Sequence, residues 1–187
     1  MPNTKVHCLS TAGKRVTGLL TNRGEIQADH YVVANGVAAN DLLRPLGLAL
    51  PIYPIRGYSL TAKLLPAQLP KMSFTDYDKR VVYAPLGDRL RIAGMADIAG
   101  YDITPDSPRA NTLLKEARNI FPLPASPSTL SPWCGLRPAT PDGVPVFGAT
   151  RLPNLSLNVG HGALGWTLAM ATAHLTVEDI VNRQPQL

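Results

Sequence analysis

The sequence is poor in cysteine, in charge and in long apolar segments, and each shortage excludes a class of protein. The 187 residues include only two cysteines, Cys8 and Cys134, which lie far apart and without metal-ligand spacing. A disulfide framework or a zinc ribbon is therefore not expected. No stretch reaches the roughly eighteen apolar residues that a membrane span requires, and the residues after Met1 lead us to expect no secretory leader. Isolated thiols fit a reducing compartment, so we expect a cytoplasmic protein with both cysteines reduced.

Charged residues make up only 17% of the chain, and the basic ones predominate. Eighteen lysines and arginines against 13 acidic residues give a net charge of +5 and a pI near 9.4. The basic residues are scattered, in runs no longer than Lys14-Arg15 or Lys79-Arg80, and no nucleic-acid-binding motif surrounds them. We expect a solvated surface without a nucleic-acid partner; weak attraction to a membrane surface or a phosphate is the alternative.

Proline and glycine are abundant, at 18 and 15 residues, which indicates many short elements joined by tight turns and argues against a helical bundle. The apolar patterns predict an α+β fold with a mixed or antiparallel sheet. The predicted strands cover residues 5–10, 15–21, 25–29, 31–34, 51–64, 80–84, 89–95, 144–148 and 155–159. The predicted helices cover residues 41–46, 107–121 and a last segment that ends near Asn182.

Two strands carry distinct burial patterns. The run Tyr31-Val32-Val33-Ala34 is apolar on both faces, as in a strand of a covered parallel sheet. In the segment 155–159 apolar and polar residues alternate, which predicts one buried face.

The glycine-rich segment after that second strand is the strongest chemical clue. It reads Gly160-His161-Gly162-Ala163-Leu164-Gly165-Trp166-Thr167 and leads into a helix. A helix start offers unpaired N–H groups and partial positive charge, so the segment could hold a phosphate, a carboxylate or the pyrimidine edge of a flavin. The glycines could equally do no more than close the turn. The spacing also matches GxGxxG, but no second strand follows, so we reject a dinucleotide-binding fingerprint here.

Other chemistry-bearing side chains leave two interpretations open. Arg137 stands in an apolar, turn-rich segment, where it could pair with a substrate carboxylate or bond to loop carbonyls. His161 could be a base, a pocket wall or a packing residue. Asp97, Asp102 and Asp142 lie beside glycines or turns and are predicted to be turn residues. No pattern predicts a metal site.

Several of these segments together resemble one family. They are Val32-Val33-Ala34-Asn35-Gly36, Pro54-Ile55-Arg56-Gly57-Tyr58, the run WCGLRPATPDGVP at 133–145, Asn154-Leu155 and Val159-Gly160-His161-Gly162. The chain resembles the carboxyl-terminal part of the D-amino-acid oxidase-like FAD-dependent oxidoreductases, which include glycine and sarcosine oxidases. The branch it resembles most is that of the bacterial D-amino-acid dehydrogenase small subunits.

The resemblance implies a flavoenzyme that takes a hydride from the α-carbon of a D-amino acid and yields a 2-oxo acid and ammonia. It implies that Arg137 is the catalytic residue that faces the substrate carboxylate, with Tyr58 and His161 as further substrate contacts. The FAD contacts that it implies are Ala34, Gly36, Gly135, Gly160, His161, Gly162, Ala163, Leu164, Gly165, Trp166 and Thr167. It also suggests a quinone acceptor at the inner membrane, with peripheral attachment.

One part of the family pattern is missing from residues 1–30, namely the strand–GxGxxG–helix unit that binds the ADP half of FAD. We therefore expect a partial FAD-binding lobe at 1–50, a substrate-binding lobe at 51–125 and a return to the FAD-binding lobe, with the last helix, at 126–187. An exposed sheet edge should result. Two alternatives stay open: an inactive fragment or partner-dependent subunit that cannot bind FAD alone, and a small-molecule-binding α+β domain without redox chemistry.

Overall fold

The computed structural model describes residues 1–104, 107–123 and 130–183 and has the predicted mixed α+β architecture. Two compact units make up the chain: unit 1 comprises Met1–Tyr53 and Arg137–Leu187, and unit 2 comprises Pro54–Leu136. The lobe limits expected from the sequence were residues 50 and 125. Unit 2 extends to Leu136 because the strand at 133–139 joins the edge of its sheet.

The strands, in chain order, are β1 (Val6–Ala12), β2 (Arg15–Thr21), β3 (Gly24–Ile26), β4 (Tyr31–Val33), β5 (Tyr53–Lys63), β6 (Phe74–Asp76), β7 (Val81–Leu86), β8 (Arg89–Ile98), β9 (Trp133–Ala139), β10 (Val146–Ala149) and β11 (Leu155–Val159). The α-helices are α1 (Ala39–Leu43), α2 (Ser107–Arg118) and α3 (Gly165–Arg183). Among the described helices, none has the length and apolar character to cross a bilayer.

Unit 1 contains two small sheets. Strands β1, β2 and β3 form an antiparallel meander, and the second sheet has the order β10-β11-β4. Within the second sheet β11 runs parallel to β4, with Leu155 opposite Tyr31 and Leu157 opposite Val33. The prediction of a parallel strand at Tyr31 is confirmed. Side chains from both sheets and from α1 share one apolar core, which includes Leu9, Val33, Leu43, Leu155 and Val159.

Asn154 joins the meander to the second sheet. Its Oδ1 accepts from the N–H of Val16 at 2.9 Å, and its Nδ2 donates to the carbonyl of Val16 at 2.8 Å. Its own carbonyl accepts from the N–H of Tyr31 at 2.9 Å. The side chain is buried, so the amide replaces water for two backbone groups that would otherwise be unsatisfied.

Unit 2 is built on a five-stranded sheet with the order β6-β7-β8-β5-β9. Helix α2 packs on it through Leu113, Leu114 and Ala117, which bury against Tyr83 and Ile92 of the central strands. These spacings place three apolar side chains on one helix face, as the sequence predicted.

Two local predictions were wrong. Helix α2 ends at Arg118 rather than Phe121, because the N–H groups of Asn119 and Ile120 donate to carbonyls three residues earlier, those of Glu116 and Ala117, and tighten the last turn. Strand β11 is buried on both faces rather than one: Ser156 is as buried as its apolar neighbours, and its hydroxyl lies 2.9 Å from Nε2 of His30.

Helix α3 departs from the usual amphipathic arrangement. Its buried residues are two threonines, Thr172 and Thr176. Several of its larger apolar side chains are exposed instead, including Trp166 at 97% and Met170 at 82%. A helix of this kind presents an apolar surface that water does not favour.

Candidate functional site

The two glycine turns of unit 1 lie at one edge of the same sheet. Because β4 and β11 are parallel and in register, Ala34–Gly36 and the Gly160 turn both follow the carboxyl ends of neighbouring strands. Gly36 has φ of +63° and Gly160 has φ of +79°, a conformation that side chains with a Cβ rarely adopt. In open sheets with parallel strands, ligands bind outside the carboxyl ends.

Gly160 is required by packing as well as by conformation. A Cβ at this position would lie 2.8 Å from Cγ2 of Thr140 and 3.5 Å from the N atom of Val146. The backbone at the end of β11 therefore passes directly against the segment that leads into β10. The next left-handed glycine, Gly162 with φ of +55°, faces open space instead.

The segment after β9 closes the same edge with a tight turn. The N–H of Gly143 donates to the carbonyl of Thr140 at 3.3 Å, and the Thr140 hydroxyl donates to the carbonyl of Val144 at 2.9 Å. The N–H of Val144 donates to Oδ1 of Asp142 at 3.0 Å, which confirms Asp142 as a turn residue. Three residues before this turn, Arg137 is half-buried in β9, and its burial lowers the pKa of the guanidinium.

His161 begins the helical segment, and its ring is held by helix α3. Nε2 of His161 lies 2.9 Å from Oγ1 of Thr172, and the His161 carbonyl accepts from the N–H of Leu164 at 3.0 Å. Residues Gly162–Leu164 form one turn of 3-10 helix that leads directly into α3. The first N–H groups of such a helix have no carbonyl partner within it and favour an anion or an electron-rich oxygen.

The remaining candidate residues of the FAD-binding segment differ in exposure. Ala163, Leu164, Trp166 and Thr167 are exposed, and Gly165 is partly buried.

Two predicted site residues lie in unit 2 rather than at this edge. Gly135 lies beneath the indole ring of Trp133, so closely that a Cβ at residue 135 would overlap the ring. The guanidinium carbon of Arg91 lies 5.4 Å from the centre of the same ring, a cation–π arrangement. Ring stacking thus explains glycine at 135 independently of any cofactor.

Tyr58 is the second such residue, and it belongs to a partly buried ionic cluster. Its hydroxyl donates to Oδ2 of Asp97 at 2.8 Å, and Nε of Arg109 donates to the same oxygen at 3.1 Å. Arg56 pairs with Asp102 at 2.8 Å and lies 3.8 Å from Asp97. The prediction that Asp97 is a turn residue is therefore wrong: Asp97 lies within β8 and accepts hydrogen bonds in ion pairs. The prediction for Asp102 is confirmed, since its Oδ1 also accepts from the N–H of Thr104 at 2.8 Å.

Sequence reasoning thus identified the glycine turns, which unit 1 brings together, but missed the contributions of Thr140 and Thr172 and gave Asp97 of unit 2 the wrong role. Asp97 bonds to Tyr58, which is 39 residues away in sequence. Thr172 bonds to His161 from within a helix, 11 residues later. For Thr140 alone a signal was present, since a threonine two residues before Asp142 is typical of a hydrogen-bonded turn.

Comparison with known proteins decides the family. Residues 1–179 match the family DAO, described as FAD dependent oxidoreductase. The chain belongs to this family. The resemblance inferred from the motifs is confirmed, and the family and its curated relatives are FAD-dependent. The D-amino acid dehydrogenase of Paramagnetospirillum magneticum is 47% identical over 184 residues, which are 98% of this chain and 43% of that protein.

A second relative and one solved structure agree with this assignment, and another solved structure shares the fold. D-amino acid dehydrogenase 2 of Pseudomonas aeruginosa is 43% identical over 192 residues, covering 97% of this chain and 46% of that protein. The glycine oxidase of Geobacillus kaustophilus aligns with a TM-score of 0.80 at 26% identity, over 98% of this chain and 49% of its own. The L-proline dehydrogenase of P. horikoshii aligns at 0.82 and 21% identity, over 98% and 51%, and shows the fold alone.

The chain therefore spans somewhat less than half the length of the curated relatives that it matches. Its residues fit one part of FAD: left-handed glycines and a helix start lie together at the carboxyl edge of parallel strands. Residues 1–30 provide no site for the ADP half, because they form the antiparallel strands β1–β3 rather than a strand–glycine loop–helix unit.

Proposed function

We propose that this chain is the carboxyl-terminal portion of an FAD-dependent D-amino acid dehydrogenase that deaminates D-amino acids to 2-oxo acids and ammonia. The observation that carries the proposal is the common edge of β4 and β11, where the left-handed Gly36 and Gly160 follow the carboxyl ends of two neighbouring parallel strands. The names of the curated relatives support the D-amino acid as substrate. A respiratory quinone at the inner membrane is the proposed electron acceptor.

In this proposal FAD supplies the hydride acceptor, and the chain supplies binding and orientation. The half-buried guanidinium of Arg137 pairs with the substrate carboxylate in a bidentate manner. That pair fixes the α-carbon relative to the acceptor, and hydride transfer depends on such orientation more than on a protein acid or base. The N–H groups from Gly162 onward stabilise electron-rich oxygen at the flavin edge.

Tyr58 and His161 are proposed as further substrate contacts. The Tyr58 hydroxyl already donates its hydrogen to Asp97, so we assign the ring, rather than a donated hydrogen bond, to the substrate side. His161 contributes a ring nitrogen that is not bonded to Thr172.

Two uncovered surfaces of unit 1 support the proposal that a further half of the flavoprotein packs against this unit. Strand β4 is an outer strand of its sheet, and among the described strands only β11 pairs with it. A groove of about 450 Å³ runs along it, lined by Tyr31–Asn35 together with Val6, Leu19 and Leu42. Parallel strands are seldom left uncovered, because their side chains are apolar on both faces.

Helix α3 offers the second surface. Trp166, Met170, Ala173, Val177 and Val181 are all exposed and recur at helical spacing along one stripe. We propose that the nucleotide-binding half of the flavoprotein covers both this stripe and the β4 groove. The relatives are long enough to supply it, since more than half of their length lies outside the match.

Flavin retention tests the proposal. The chain is purified alone and after co-expression with the part of the P. magneticum relative that it does not match. We expect a colourless chain alone and a yellow complex that carries one FAD per pair, because the two halves contribute different parts of the cofactor site. A colourless complex, with both chains folded and bound, would contradict the proposal.

If the chain is instead an inactive, partner-dependent subunit, the complex should also be yellow, but a D-amino acid should not reduce its flavin. Substituting Met170→Asp, on the exposed stripe but outside the candidate FAD contacts, separates docking from cofactor binding: it should weaken the complex, whereas Met72→Asp, a matched exposed methionine in unit 2, should not.

A further inference from the structure

The hydroxyl of Thr172 is one of the few polar groups that α3 buries. Thr172 is 4% exposed, and its Oγ1 lies 2.9 Å from Nε2 of His161. The same Oγ1 lies 3.1 Å from the carbonyl oxygen of Leu168 and 3.3 Å from that of Ala169. Three polar atoms therefore surround a group that carries a single hydrogen.

The hydrogen count decides how these atoms are bonded. Carbonyl oxygens can only accept, so the Thr172 hydrogen is directed to Leu168 or Ala169. If it were directed to the His161 ring, Oγ1 would face two carbonyl oxygens within 3.3 Å with no hydrogen between them, which is repulsive. The Thr172 oxygen consequently accepts, and Nε2 of His161 is the donor.

A neutral imidazole carries one N–H, so a donor at Nε2 leaves Nδ1 as an acceptor. Among the described residues no hydrogen-bond partner of Nδ1 is found. His161 itself stands between Gly160 and Gly162, at the edge where the two parallel strands end.

We propose that Thr172 is a positioning residue for the candidate flavin site: it fixes the His161 ring as the Nε2–H tautomer and thereby presents Nδ1 to the site as a hydrogen-bond acceptor. The ring orientation and the tautomer are properties of this chain alone. Only the identity of the ligand that donates a hydrogen bond to Nδ1 rests on the proposed function.

The chain offers a matched set of variants. Thr172→Val keeps the shape and removes the hydroxyl, and Thr172→Ser keeps the hydroxyl. Thr176→Val removes a second buried hydroxyl one turn later, which donates to the carbonyl of Thr172 at 2.7 Å and does not contact His161.

Nitrogen-15 NMR of histidine-labelled chain is the test, near pH 8, where an ordinary imidazole is neutral. His161→Gln identifies the resonance. We expect a hydrogen on Nε2 of His161 in wild type, in Thr172→Ser and in Thr176→Val. In Thr172→Val its exchange with water should accelerate at least about fivefold, the factor that corresponds to roughly 1 kcal/mol for one hydrogen bond.

Two results would overturn the proposal: a hydrogen on Nδ1 in wild type, or an Nε2–H in Thr172→Val that exchanges as slowly as in wild type. The His30 resonance, whose Nε2 lies against Ser156, reports whether each variant is folded. If Thr172→Val does not fold, the proposal is still tested by the tautomer of His161 in wild type and by its retention in Thr172→Ser. The measurement needs no flavin, so failure of the proposed function would leave its result unaffected.

Discussion

The Tyr58 hydroxyl donates to Oδ2 of Asp97 over 2.8 Å, and this bond links two neighbouring strands of unit 2. Arg109 donates to the same carboxylate from the start of α2. Burial, followed by the hydrogen bond to Asp97 and its negative charge, raises the pKa of Tyr58 to about 12. The phenol is therefore stabilised in its neutral form.

The raised pKa predicts a loss of stability in alkali. An unfolded tyrosine has a pKa of about 10, so the stabilisation is present in full below about pH 10 and is lost as the pH rises towards 12. Tyr58→Phe should cost about 1 kcal/mol at neutral pH through the lost hydrogen bond. It should also make the alkaline decline shallower, as measured by urea unfolding at about pH 9 and pH 11.

Tyr77→Phe is the matched control, because Tyr77 is exposed. Its alkaline decline should equal that of wild type. If Tyr58→Phe and wild type lost stability in parallel above pH 10, the coupling of Tyr58 to Asp97 would be refuted.

Replacing Asn154 should destabilise unit 1. Asn154→Ala leaves the N–H and the carbonyl of Val16 buried and unpaired, at a cost of about 1–3 kcal/mol for each group. Asn22 makes the same type of side-chain bond, accepting from the N–H of Lys5 at 2.8 Å, but it is exposed. Asn22→Ala should therefore cost much less in the same denaturant titration, and equal losses would show that burial is not the cause.

The three glycines of the 160–165 segment should respond differently to alanine. Gly160→Ala combines a positive φ with a contact to Thr140 and should cost more than about 2 kcal/mol. Gly162→Ala meets open space and should cost about 1–2 kcal/mol for its φ alone. Gly165 is already right-handed, so Gly165→Ala should stabilise α3 by up to about 1 kcal/mol. Thermal unfolding checks this order, and a reversed order would contradict the packing of Gly160.

Substitution of Arg137 should impair substrate binding in the flavin-loaded complex. Arg137→Ala removes a charge-assisted pair and should lower kcat/KM for D-alanine by roughly 10- to 100-fold, mainly through KM. Arg137→Lys keeps the charge but not the planar fork and should recover only part of the loss. Arg118→Ala, an exposed arginine of α2, is the control. An unchanged KM in Arg137→Ala would exclude the carboxylate role.

Local patterns predicted most of the elements, because alternation and turn residues act over short distances. The double-faced apolar run at Tyr31 correctly indicated a parallel strand. Asp97 was mispredicted because its partners lie 39 and 12 residues away, beyond any local pattern. The buried face of α3 could not be predicted either: apolar residues such as Ala173 and Val177 recur at helical spacing but are exposed, whereas the structure buries Thr172 and Thr176.

Anaerobic reduction of bound flavin tests the central claim most directly. The yellow complex of this chain with the unmatched part of its relative is mixed with D-alanine or L-alanine without oxygen. We predict that D-alanine bleaches the flavin with release of ammonia and pyruvate, that L-alanine does not, and that Arg137→Ala slows the bleaching. A complex that binds FAD stoichiometrically but is bleached by no D-amino acid would contradict the account.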